Sequence, residues 1–81
     1  VSAEGGLSAY TAILAVKRMT CRGALRVALT SPTPSGDDIF EPGNRWRLGR
    51  WRCRTLRQDG EESWVARCSR RGRAFTVAWG A

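Results

Sequence analysis

From residue 45 to residue 54, large apolar side chains alternate with arginine, and this two-residue period points to β-structure. The run Arg45-Trp46-Arg47-Leu48-Gly49-Arg50-Trp51-Arg52-Cys53-Arg54 sets the pattern. A helix would scatter the two sets around its circumference, whereas a strand sorts them onto opposite faces. Asp59-Gly60 is a hairpin signal, with Glu61-Glu62 leaving the loop length open, and Arg71-Gly72 marks a second tight turn. The chain from residue 46 to residue 79 reads as three antiparallel strands. They span about Trp46 to Arg57, broken or bulged at Gly49, then about Ser63 to Arg70, then Arg73 to Trp79.

Centring the hairpins on Gly60-Glu61 and Arg71-Gly72 fixes a register. Trp51, Cys53 and Thr55 then share a face with Trp64, Ala66 and Cys68, and with Phe75, Val77 and Trp79. The other face carries Arg50, Arg52, Arg54, Arg67 and Arg73, with Leu56, Val65, Thr76 and Ala78 among them. An antiparallel sheet with one dry and one wet face has this signature. Cys53 and Cys68 come directly opposite on the apolar face, where a cross-strand disulfide is sterically feasible. Cys21 faces the same core in this reading and is a rival partner for either strand cysteine. Three free thiols in a reducing compartment are the plainer alternative.

The first half differs. Residues 1–8 are small and polar and read as a flexible lead-in to a single domain over residues 9–81. Tyr10 to Val16 is β-branched and aromatic; both of its alternating sets are apolar, which suggests a central strand. Thr20 is a helix N-cap candidate, and Cys21, Ala24, Leu25, Ala28 and Leu29 define one helical face, ended by Ser31-Pro32. Arg22 and Arg26 fall on a solvent flank. One long helix from Leu7 to Leu29 is the rival reading, opposed by Gly23 and by the Thr20 cap. Residues 31–44 form a Pro/Gly-rich loop, with Ile39-Phe40 anchoring its middle to the core. The fold class is α+β: a strand, a short helix, then a three-stranded antiparallel meander with the helix packed on one sheet face.

With 81 residues the chain supports one modest core, and four Trp, two Phe and one Tyr supply the apolar mass that a net charge of +7 would otherwise oppose. Thirteen of the 14 cations are Arg, ten of them between Arg45 and Arg73. A GC-rich genome would give the same bias, and a solvated sheet face would give the same placement. The alternative is a cationic stripe that attracts nucleic acid, an anionic polymer, lipid headgroups or an acidic protein surface. Trp46, outside the predicted hairpins, is the one candidate for an exposed stacking platform.

No apolar run approaches the roughly 20 residues of a membrane span. Val1 in place of Met fits a mature chain whose signal has been removed, and equally an excised domain. The chain has no His, so a nucleophilic Cys21 would lack a base. Three Cys without paired spacing make no zinc site. Asp37, Asp38 and Glu41 sit in the proline loop without an apolar frame, and no phosphate-cradling glycine motif occurs. These absences lead us to expect no catalysis, no metal and no cofactor.

Cys21 with Ala24, Trp51-Arg52-Cys53, Arg67-Cys68 and Arg70-Arg71-Gly72-Arg73 make Thr11 to Trp79 resemble a recurrent type of small exported actinobacterial domain of unknown function. That type places Gly directly before Trp-Arg-Cys; this chain has Arg50 there, with Gly49 one place earlier, and a longer loop. The resemblance implies secretion or surface display and brings no activity or catalytic residues with it.

The expected function is therefore a binding or accessory domain of an exported protein. Its arginine-rich face would meet an anionic or protein partner through Arg45, Trp46, Arg47, Arg50, Arg52, Arg54, Arg67 and Arg73. A nucleic-acid-binding domain using the same face is the alternative, and a structural domain of a larger assembly is the second.

Overall fold

Two dipeptides give the sheet its outline. Gly49-Arg50 and Arg71-Gly72 each close a two-residue hairpin, because Leu48 pairs with Trp51 and Arg70 with Arg73. Gly49 has a positive φ of 60°, and a Cβ there would lie 3.2 Å from the Ser31 Cβ, so both backbone and space call for glycine. Arg71 and Gly72 both have positive φ, the dihedral signature of a type I′ turn. The computed structural model describes residues 11–33, 38–60 and 63–80. The expected lead-in at 1–8, residues 34–37 of the proline loop, and Glu61-Glu62 lie outside the described residues.

The chain runs β1 (Thr11–Lys17), α1 (Cys21–Thr30), a 3-10 turn at Asp38–Phe40, β2 (Arg45–Leu48), β3 (Trp51–Gln58), β4 (Ser63–Arg70) and β5 (Arg73–Gly80). The strands form one five-stranded antiparallel sheet in the order β1-β5-β4-β3-β2. The protein is thus mostly β, with a single helix. The expected three-stranded meander is corrected in two places. The strand expected from Trp46 to Arg57 folds back on itself at Gly49-Arg50 and becomes β2 and β3, and β1 adds a fifth strand beside β5. β1 is also not central: it pairs with β5 alone and lies at an edge. Its second apolar set is explained by a bulge between Ile13 and Ala15, which leaves Leu14 52% exposed.

The expected register holds along β4–β5 and at Cys53 and Thr55, but Val65, expected on the wet face, is fully buried and pairs with Arg57. Cys53 pairs with Cys68 and Cys68 with Phe75; Thr55 pairs with Ala66 and Ala66 with Val77. A shift between Thr55 and Arg57 then brings Gln58 opposite Trp64. The inner face buries Trp46, Leu48, Trp51, Cys53, Phe75, Val77 and Trp79 in one core cluster. Trp51 meets Phe75 edge-on at 5.1 Å and Trp46 meets Trp79 at 5.8 Å, the tilted geometry that aromatic quadrupoles favour. Cys53 and Cys68 form a disulfide with a Cα–Cα distance of 4.0 Å, the close approach of a non-hydrogen-bonded antiparallel pair.

The helix covers this face with small residues. Ala24 and Ala28 are fully buried and Val27 packs beside them, so the backbone can approach the sheet closely. Leu29, expected on the buried face, is 41% exposed. Cys21 is exposed and free, correcting its expected place in the core. Side chains lean toward a helix's N-terminus, so this first helical residue projects past the packed face. Thr20 caps the helix by accepting the Gly23 amide at 3.0 Å, an interaction typically worth about 1 kcal/mol, and β1 occupies what the rival long helix would have used.

Thr55 ties the loop to the sheet. Its buried hydroxyl accepts the Trp46 indole N–H at 2.9 Å and donates to the Ile39 carbonyl at 2.7 Å. Ile39 is buried, and Phe40 packs on Trp64 with ring centroids 4.5 Å apart, as the loop anchor was expected to do.

Candidate anion-binding groove

Opposite the core, cross-strand pairing lines up like charges. Arg45 pairs with Arg54, and Arg54 with Arg67, across three neighbouring strands. The next row runs Arg47, Arg52, Ser69, Ala74, Lys17 across all five strands. Neighbouring strands lie about 4.8 Å apart, and like charges placed directly opposite destabilise a sheet. The long side chains of the second row's ends stand around the small Ser69 and Ala74, and the result is a groove of about 510 Å³.

The Ser69–Ala74 pair of the sheet forms the floor of the groove, and Gly72 of the β4–β5 turn also lines it. Its walls on the sheet face are Lys17, Arg47, Arg52 and Arg67, and the two hairpin ends add Arg50, Arg70, Arg71 and Arg73. Eight cations therefore line it, with no carboxylate and no aromatic side chain among its described residues. A second hollow of about 360 Å³ continues from it across Arg52, Arg67 and Ser69 to Arg45, Arg54 and Leu56. The two together hold ten of the chain's 14 cationic residues, which concentrates the excess charge on one side. Glu41 and Asp59, both exposed, adjoin the far end of the sheet, where β2 begins and β3 ends.

Backbone strain marks the same end. Arg18 and Arg71 are the non-glycine residues with positive φ among the described residues, at 58° and 49°. The Arg18 guanidinium approaches Gly72, and Arg71 lines the groove. Bulky side chains seldom adopt this conformation, and strained positions of this kind cluster where a ligand is held.

The structure brings five of the expected site residues into the groove: Arg47, Arg50, Arg52, Arg67 and Arg73. Arg45 and Arg54 sit beside it in the second hollow. Trp46 is corrected: it is 6% exposed on the inner face, because the Gly49-Arg50 turn pairs it with Cys53. It offers no stacking platform. Arg70 and Arg71 were missed although the Arg-Arg-Gly-Arg turn announced them. Ser69 and Ala74 follow from the β4–β5 register, whereas Lys17 could be found only once β1 was known to pair with β5.

Arginine's planar fork suits oxyanions with two acceptor oxygens, so this arrangement can bind and orient polyvalent anions. Comparison with known proteins gives no match: no protein-family model, no curated protein and no solved structure matches the chain, so the likeness to small exported actinobacterial domains has no matched relative behind it.

Proposed function

We propose that this chain is a non-catalytic binding or accessory domain of an exported protein, and that it engages an anionic partner through its arginine-rich outer sheet face. The observation that carries this reading is the groove lined by eight cationic residues with no acidic one among the described residues. An ordinary solvated sheet face would mix both signs of charge, since like-charged neighbours weaken the sheet. The Cys53–Cys68 disulfide supports export, because such bonds form and persist in oxidising compartments. No helix among the described residues is long and apolar enough to cross a membrane. Among the described residues the groove has no aromatic wall, which disfavours single-stranded nucleic acid read by base stacking.

Retention on a sulfated polysaccharide matrix tests the reading. The disulfide-bonded domain should elute at lower salt when Arg52 and Arg67 are replaced by Gln. The R22Q/R26Q variant removes the same charge from the exposed side of the helix and should elute close to the parent. Contacts made by the groove arginines release counterions, so the loss should deepen as salt falls. Equal shifts for the two variants would reduce the effect to net charge and refute the groove.

A further inference from the structure

The groove's composition narrows the kind of anion it takes, provided the anion-binding reading above is right. We propose that its ligand is a linear chain of phosphate groups, of the inorganic polyphosphate type, lying along the Ser69–Ala74 floor between the arginine walls.

Charge density is the first argument. Eight cations surround about 510 Å³ with no acidic residue among those described, so a monovalent anion would leave nearly all of them uncompensated. The ligand must carry several negative charges in a small volume. Side-chain chemistry is the second. Seven of the eight cations are Arg, whose fork matches a phosphate's paired oxygens, whereas Lys acts as a point charge. The third argument is the floor. Ser, Gly and Ala are small, and no described residue of the lining is aromatic, so a base finds no stacking surface there. What is recognised here is the anion itself. Shape is the fourth. The cations line an open hollow of about 510 Å³ rather than a flat face, so a thin chain can lie among them. A duplex is a thick rod with phosphates on its outside, and it reaches the rim alone. The row Arg45, Arg54, Arg67 continues the cationic path beyond the groove, which suits a polymer longer than the groove.

Calorimetric titration of the disulfide-bonded domain with three probes tests this: long-chain polyphosphate, random-sequence duplex DNA and polyglutamate, matched for charge. Polyphosphate should bind at least about tenfold tighter than either competitor at moderate salt, a margin beyond simple counterion release. Ser69→Trp supplies a second arm, since it fills the floor from an exposed strand position and leaves every charge in place. It should weaken polyphosphate binding by about tenfold or more while changing polyglutamate binding by less than about threefold, because rim contacts remain. Its thermal melt, read alongside, should match the parent's. Equal affinity for polyphosphate and duplex, or a folded S69W variant that binds polyphosphate normally, overturns the phosphate-chain assignment and leaves the anion-binding face intact. Failure of all three probes to bind overturns both.

Discussion

The two faces of this sheet are built from the same strands and obey opposite rules. On the inner face, Cys53, Thr55, Phe75 and Val77 are buried, and the Thr55 hydroxyl and the Trp46 indole N–H are hydrogen-bonded, while the buried Trp79 indole N–H has no partner among the described residues. On the outer face, Arg45, Arg54 and Arg67 are set side by side with no ion pair among the described residues to neutralise them. The inner face has the properties of a core optimised for folding. The outer face carries an arrangement that folding alone disfavours. A sheet that holds such a face needs reserve stability elsewhere, and the disulfide lies directly behind it, joining the strands that carry Arg54 and Arg67. The contrast teaches that the inner face carries an outer row of like charges that adds nothing to the sheet's own stability.

The largest effect expected from breaking this comparison is on the inner face. Replacing both Cys53 and Cys68 with Ser should cost about 3 kcal/mol for a closed loop of this size. In a domain of this length that lowers the melting temperature by more than about 10 °C. Polyanion added to the variant should restore part of the loss, since a ligand that binds only the folded state stabilises it. A variant that melts within a degree or two of the parent would show that the cationic face needs no staple.

Thr55→Val should have an intermediate effect. It strands the buried Trp46 N–H and removes the donor to the Ile39 carbonyl, at about 1–3 kcal/mol by denaturant unfolding. Affinity for polyanion should stay within about twofold, because Thr55 touches the core and not the groove. A larger binding loss would mean that the two faces are coupled through β3.

The smallest effect sharpens the comparison by its sign. Arg71→Asn puts a residue that tolerates left-handed backbone into the type I′ turn. Unfolding stability should rise by up to about 1 kcal/mol, while polyanion affinity falls with the lost groove cation. Stability and binding moving in the same direction would remove the case that Arg71 is kept strained for its ligand.

Some of this protein follows from local pattern alone. Alternation of period two sorted the faces of β3, β4 and β5; centring the first hairpin on Gly60-Glu61 placed Cys53 against Cys68, and the Arg71-Gly72 turn placed Cys68 against Phe75. Thr20 began the helix and Ser31 ended it because capping needs only residues within one turn of each other. These features were legible because each is decided over a few residues.

Other features depend on contacts distant in sequence. Gly49 could be read as a bulge or as a turn; its close approach to Ser31, together with the Pro32 carbonyl accepting its amide, belongs to the reversal that buries Trp46. β1 looked central by composition, yet its place depends on which strand it joins, and pairing with β5 put it at the edge. Cys21 looked inward by spacing, but helix docking on Ala24 and Ala28 left it outside. The groove follows the same division. The sequence by itself determined that arginine would share one face of a sheet, because alternation is a property of a single strand. Only the tertiary structure made that face concave, because Lys17 from β1, Ser69 from β4 and the arginines of two hairpins meet only after all five strands have paired.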